Sequence, residues 1–414
     1  MSNRLQVIGK VSLVALVGAL LASPALTQQS GTPVARYTVD AGTTSGMGAM
    51  TGGGAAAAMS ILRGGSNQVS HELMLRLGSS RAATGGPSAD HFMPQVAQLG
   101  VSVPLLTPER VTAPAGPLGQ MPQGQMPQGR LLLFWGCGEH APPNQPVVID
   151  FSKLARGQIP PGLYASPLNL PEDWTINQAN STTYGEWPNQ RDAKTVPANA
   201  SLLGAHRVAS TYAPEINFTL NDDFMPALQA RGSDMASGAT TLTWNALPKA
   251  TGYYAWGMAT GMEGGQSRDM VWWSSASTQQ FAGALQDWLS PAAVARLVTA
   301  GTVMPPSQTT CTVPAEVKAA GGPILMTFLT GYGPQADFAY PPRPANTRTP
   351  WRPEWIARVR FKSSTTLMAG MPGFGDQGQG QTQQGQQQPS QPAGLPRCRG
   401  GLRGIAERAA GLCQ

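Results

Sequence analysis

The feature that most constrains this chain is the shortness of its apolar runs, which reach strand length and then stop at turn-forming residues. Leu73, Leu75 and Leu77 alternate with Glu72, Met74 and Arg76, the period-2 pattern of a half-buried strand. Stretches at 35–40, 101–106, 131–135 and 147–151 read as further strands in the first half. In the second half the same reading gives strands at 216–220, 240–245, 253–259, 270–274, 324–329 and 355–361. Forty-nine glycines and 37 prolines among 414 residues suit a loop-rich β protein. With 41% hydrophobic and only 12% charged residues, the chain can build real cores and is no disordered polyelectrolyte. The expected fold class is all-β: two antiparallel β-sandwich-like units, a flexible linker and a tail.

The expected boundaries follow the composition. A first β-domain occupies 32–165 and includes a Gly/Ala/Met-rich loop at 41–60. An irregular connecting segment, rich in Pro, Asn, Ser and Thr, covers 166–213, and a second sandwich-like unit covers 214–365. The second unit contains a helical insertion at about 279–300. Ser290 caps a helix, Pro291 takes its first position and Gly301 stops it. Before it, Phe281, Leu285, Trp288 and Leu289 have the spacing of one apolar helix face. The tandem Gln-Met-Pro-Gln-Gly repeat at 120–129 reads as a loop, since two copies do not make a repeat fold.

The ends set the expected compartment. Arg4 and Lys10 precede a largely apolar 12-residue run, Val11 to Ala22, and small residues for cleavage follow at Ser23-Pro24-Ala25 or Ala25-Leu26-Thr27. Residues 1–27 therefore read as a secretory signal rather than a membrane span, and the protein is expected to be exported: periplasmic, outer-surface or secreted. Only six of the basic residues are Lys, an Arg bias that reads as bacterial coding preference. Four cysteines remain after the signal, and three pairings can be drawn. Cys398 and Cys413 are close in sequence, which leaves Cys137 with Cys311; the alternative is free buried thiols.

From residue 341 onward there are ten Arg or Lys against Glu354, Asp376 and Glu407. Residues 373–396, dominated by Gln, Gly and Pro, read as a linker. Residues 397–414 then form a basic amphipathic tail. Arg397, Arg399, Arg403 and Arg408 are its candidate contacts to an anionic surface.

The passage Thr241-Leu242-Thr243-Trp244 followed by Leu247-Pro248-Lys249-Ala250-Thr251-Gly252-Tyr253 resembles the second-to-third strand passage of fibronectin type III modules. The resemblance covers about residues 240–275 and implies a β-sandwich used for binding or spacing, with no chemistry attached. The helical insertion departs from that pattern.

Candidate sites are few. Successive strand residues point to opposite faces, so Trp272 and Trp273 cannot share one core, nor can Tyr253 and Tyr254. Together with Trp256 they form a candidate aromatic surface for a glycan or protein partner, unless the helical insertion covers it. Cys137-Gly138-Glu139-His140 reads first as a disulfide at a strand end, with a metal or nucleophile site as the alternative. Asp222 and Asp223 read as turn formers. Met47-x-x-Met50 and Met368-x-x-Met371 have a spacing that suits Cu(I).

No catalytic or metal residues are assigned and no cofactor is expected. The leading expectation is a non-enzymatic cell-envelope or extracellular binding protein. Its partner would be an envelope component, glycan or protein, not nucleic acid, with peripheral membrane contact through the tail. The alternatives are a secreted hydrolase of a polymer, with a cleft where His140 or His206 meets a carboxylate and a hydroxyl, and a periplasmic copper-binding protein.

Overall fold

A computed structural model describes residues 31–50, 69–109, 129–155, 175–263, 266–280, 284–346 and 349–369. All lie in one compact unit, Met1–Gly375. The expected signal, nearly all of the 120–129 repeat, the linker and the tail lie outside the described residues, as do Cys398, Cys413 and the four tail arginines.

The fold is all-β. Its elements are β1 (Ala35–Gly46), β2 (Val69–Ser79), β3 (Ala89–Phe92), β4 (Ser102–Pro104), β5 (Arg130–Trp135), β6 (Val147–Asp150) and the short helix α1 (Phe151–Ala155). There follow β7 (Thr183–Trp187), β8 (Gly204–Ser210), β9 (Ile216–Leu220), β10 (Ala230–Asp234), β11 (Thr240–Trp244), β12 (Gly252–Glu263) and β13 (Gln266–Ser274). The chain continues through α2 (Pro291–Thr299), β14 (Thr310–Val313), α3 (Ala315–Gly321), β15 (Leu325–Tyr340) and β16 (Trp355–Ala369). Among the described residues no helix is long and apolar enough to cross a membrane.

Nine strands form one sheet, the floor, in the order β6-β5-β13-β12-β15-β16-β1-β2-β7. Two smaller sheets, β10-β11-β14 and β4-β3-β8-β9, form roofs. The pairings are antiparallel except β1 with β16 and β5 with β13, which are parallel. Alternation explains the packing. Leu73, Leu75 and Leu77 of β2 turn inward and are buried, as are Ile216, Phe218 and Leu220 of β9. Residues from both roofs join one continuous core with the same face of the floor, including Leu242 and Val313 from one roof and Val208 and Phe218 from the other. Each such side chain contributes about 1.5–3 kcal/mol by leaving water.

The opposite face of the floor has two characters. Over β12 and β15 lies α2, whose Val294 and Leu297 enter a second apolar cluster with Tyr254, Trp256, Trp272 and Tyr332. Contact there is close: a Cβ on Gly252 would stand 2.9 Å from Val294 and 2.8 Å from Val303. Over β16, β1 and β2 the face is ionic. The Asp40 carboxylate is fully buried and takes Arg360 through Nε at 2.7 Å and Nη2 at 3.0 Å, and Arg76 through Nη1 at 2.9 Å.

Several expectations change. The units expected at 32–165 and 214–365 do not close separate sheets. β1 pairs with β16 from Ala35↔Trp355 to Gly46↔Thr366, and β5 lies beside β13. This covers two edges that would otherwise present unpaired backbone groups. The loop expected from residue 41 is strand as far as Gly46, followed by a 3-10 turn, Met47–Met50. The segment expected to be irregular, 166–213, contains β7 and β8.

The helix α2 begins at Pro291, with the Ser290 hydroxyl accepting from the Ala293 amide at 3.2 Å. Among its described residues, the preceding apolar segment forms only a 3-10 turn, at Ala284–Gln286. Its carbonyls are taken by the floor instead of a helical ladder: Tyr332 donates to Leu285, Lys362 to Gln286 and Arg360 to Trp288. Leu285, Trp288 and Leu289 are buried as their spacing implies, while Phe281 lies outside the described residues.

Candidate functional site

The expected aromatic surface is internal. Tyr253 and Trp273 are fully buried in the core beneath the roofs, and Tyr254, Trp256 and Trp272 are buried on the other face of the floor. The pleat does send adjacent aromatics to opposite faces, but both faces are covered, the second by α2 and the 284–290 segment. Trp256 stacks between Trp272, with centroids 4.5 Å apart, and Phe328, at 4.0 Å. The five residues expected as a binding surface are thus packing: the roofs cover Tyr253 and Trp273, and the helical insertion covers Tyr254, Trp256 and Trp272.

Beyond the stack, the same face carries a row of methionines. Met258 of β12 stands directly opposite Met326 of β15, and Met326 directly opposite Met368 of β16. All three are half-buried. Trp272 of β13 is the direct neighbour of Met258 on its other side, and Met270, 43% exposed, is two residues away on that strand and faces the same way. The Met47–Met50 turn packs on β16, with Gly48 against the Thr366 hydroxyl. Met371 lies outside the described residues.

Cys137, just after β5, and Cys311, in β14, form a disulfide across 174 residues. Next to it, the expected reactive cluster gains a partner that sequence spacing did not reveal. Glu316 of α3 meets His140 Nδ1 at 3.1 Å and accepts the Ala141 amide at 2.9 Å. The amide contact holds the Glu316 carboxyl below its ordinary range. The pair is exposed, and among the described residues it gathers no hydroxyl.

The described residues also contain a buried polar chain. Tyr37 of β1 donates to His91 Nδ1 at 2.7 Å; His91 Nε2 lies 3.0 Å from His206 Nδ1; His206 Nε2 lies 2.7 Å from the Leu202 carbonyl. The carbonyl only accepts, so His206 Nε2 carries a proton and His206 Nδ1 accepts from His91. The tautomers are thus fixed along the whole chain with both rings neutral. Burial pushes His91 well below the ordinary histidine range, with His206 adding to it, and burial lowers His206 as well. A proton added to His206 Nδ1 would set two N–H groups face to face, and one added to His91 Nδ1 would turn the Tyr37 hydroxyl from donor to acceptor. His206 therefore meets another histidine and a backbone carbonyl, not the carboxylate and hydroxyl that hydrolysis needs.

Asp222 and Asp223 hold turns: Asp223 accepts the Leu202 and Phe224 amides, and Asp222 pairs with Lys249. His71 stacks on Phe224 at 3.9 Å and bonds Thr43 at 3.2 Å. Among the described residues, no group of three or more His, Cys, Asp or Glu side chains is placed to hold a metal ion.

A cleft of about 420 Å³ with mixed polar and apolar lining opens between the start of β1 and the end of β2. It is lined by Arg36, Ser79, Ser80, Asn180, Ser181 and Thr182, among others. Arg36 Nη2 donates to the Asn180 carbonyl at 3.4 Å, which leaves further guanidinium donors for a ligand. One cation among hydroxyls and amides suits a hydroxyl- or carboxylate-bearing group. No period or motif marks this cleft in the sequence, because it is assembled from three separated segments.

No family model matches the chain, and no characterised protein sequence matches it. Among solved structures, a similar chain is the zebrafish (Danio rerio) Fcho1 Mu homology domain with bound Eps15 peptide. It is 10% identical, with a TM-score of 0.19, over 82% of this chain and 99% of that one. A similarity of that size carries no argument about fold or function.

Proposed function

We propose that this is an exported bacterial protein that acts by binding, in the cell envelope or outside the cell, and not by catalysis. The observation that carries the reading is the Cys137–Cys311 disulfide, a bond that persists in oxidising compartments and is rare in the cytosol. The signal-like residues 1–27 point the same way. The histidines favour binding over hydrolysis, since each described one is engaged in packing or pairing: His71 on Phe224, His91 and His206 with each other, His140 with Glu316.

The fibronectin type III resemblance fits this role. The strand ending in Trp244 and the strand carrying Tyr253 lie in different sheets around one core, and the two rings meet edge-on at 5.6 Å. With the aromatic row internal, recognition of a glycan or protein partner falls to the Arg36 cleft. The basic tail, through Arg397, Arg399, Arg403 and Arg408, adds contact to an anionic surface.

The test is co-sedimentation of the exported chain with isolated cell envelopes, using the full chain, a chain ending at Gly394, and Arg36→Ala. Binding that falls in Arg36→Ala supports recognition by the body. Binding lost only with the tail, and weakened by salt, assigns recognition to the tail alone. Failure of the full chain to sediment with envelopes overturns the envelope reading and leaves the hydrolase alternative to activity screening.

A further inference from the structure

The apolar outer face of the floor extends past its cover. The helix α2 sits at the Gly252 end of β12, where Val294 packs. The Trp272–Trp256–Phe328 stack comes next, and the face ends in the half-open row Met258, Met326 and Met368. Methionine commonly fills irregular gaps in cores. Here three occupy regular, directly opposed positions on three adjacent strands, partly open to solvent.

Directly opposed side chains have Cβ atoms about 5 Å apart, and each thioether stands on a flexible unbranched stem. Three sulfurs can thus converge above Met326, the middle one. The row contains no carboxylate or imidazole; its next member is Trp272. We propose that Met258, Met326 and Met368 form a binding site for a soft monovalent metal ion, Cu(I). Uncharged thioethers select that ion over Zn²⁺, Ca²⁺ or Mg²⁺, which need nitrogen or charged oxygen ligands. Trp272 lies beside the row, where an indole face attracts a cation. Met270 supplies a fourth sulfur at the open margin. The site is independent of the Arg36 cleft and of envelope binding.

The experiment is anaerobic titration of the full chain with Cu(I) held by a chromogenic chelator, read by chelator absorbance and tryptophan fluorescence. The expected result is one Cu(I) withdrawn per chain, with fluorescence quenched in step. Met326→Leu conserves volume, so the fold should survive, and affinity should fall at least tenfold. Met258→Leu and Met368→Leu should act in the same direction and keep the test valid if Met326→Leu does not fold. Met235→Leu, at an exposed position beside β10, should leave binding unchanged. The proposal is overturned if the full chain withdraws no Cu(I), if Zn²⁺ competes equally, or if the three row variants bind as the parent does.

Discussion

The two roofs cover the same face of one floor and share its core, yet they are fastened differently. The four-stranded roof β4-β3-β8-β9 brings its own inward row of Val103, Val208, Ile216, Phe218 and Leu220. It is keyed to the floor by the Tyr37–His91–His206 chain. The three-stranded roof β10-β11-β14 has strands of four or five residues and few inward side chains, chiefly Leu242, Trp244 and Val313. It is stapled to the segment after β5 by the disulfide. The difference follows a size rule: a small element buries too little apolar surface to hold itself and is pinned covalently. A larger one can use buried polar groups, which specify position more than they add strength.

The largest effect should come from the staple. Replacing Cys137 and Cys311 by Ser frees a very long loop in the unfolded chain. The chain-entropy model puts that loss at about 5 kcal/mol, measurable by urea denaturation. Hydrogen exchange should then show β11 and β14 opening before β8 and β9. Equal loss of protection in both roofs would mean that the two are fastened alike.

His91→Ala should cost about 3 kcal/mol, because it opens a cavity and leaves the buried Tyr37 hydroxyl unpaired. This loss should appear in the denaturation midpoint with the disulfide intact, and loosening should concentrate at β3 and β8.

Acid should act on the same roof. Both histidines have folded values lowered below the ordinary 6.5, so the unfolded chain binds more protons as pH falls. Their stabilisation is complete above pH 6.5 and is lost progressively below it. Each histidine contributes a slope of at most about 1.4 kcal/mol per pH unit in that range. Urea titrations from pH 7.5 to 5 should show this slope in the parent and in the cysteine variant, and a reduced one when His91 and His206 are both Leu.

The smallest effect should be that of Glu316→Gln, since an exposed pair beside the staple contributes below about 1 kcal/mol. A larger loss in thermal unfolding would mean that the ion pair, not the disulfide, fastens the smaller roof.

Much of this arrangement was legible in the residues. The alternation of Leu73, Leu75 and Leu77, the Ser290-Pro291 start of α2 and the pairing of Cys137 with Cys311 all rest on local patterns or simple counting, and the structure agrees with each. Adjacent aromatics at Trp272-Trp273 correctly implied two faces, but burial of both depends on α2 folding back, which no local signal encodes. The His91–His206 contact, the Arg36 cleft and the methionine row are long-range juxtapositions. Strand β8 was hidden because Gly, Ala, Arg and Ser occupy five of its seven positions, and β7 because Gly185 and Glu186 interrupt an otherwise strand-favouring run; pairing with β2, β3 and β9 supplies what the local pattern does not.

The parallel pairing of β1 with β16 also sets an order of events. These neighbours are separated by 320 residues at Asp40 and Arg360, so the centre of the floor cannot close until β16 is available. During synthesis, and during passage through a membrane if the chain is exported, β1 waits with an open edge. Sequence separation of this kind slows folding and lengthens exposure to aggregation. Removing residues from β16 onward would therefore not yield a shortened protein with an intact first half. It would leave β1 permanently without its neighbour, and the earliest segment made would be the one to pay for the loss of the latest.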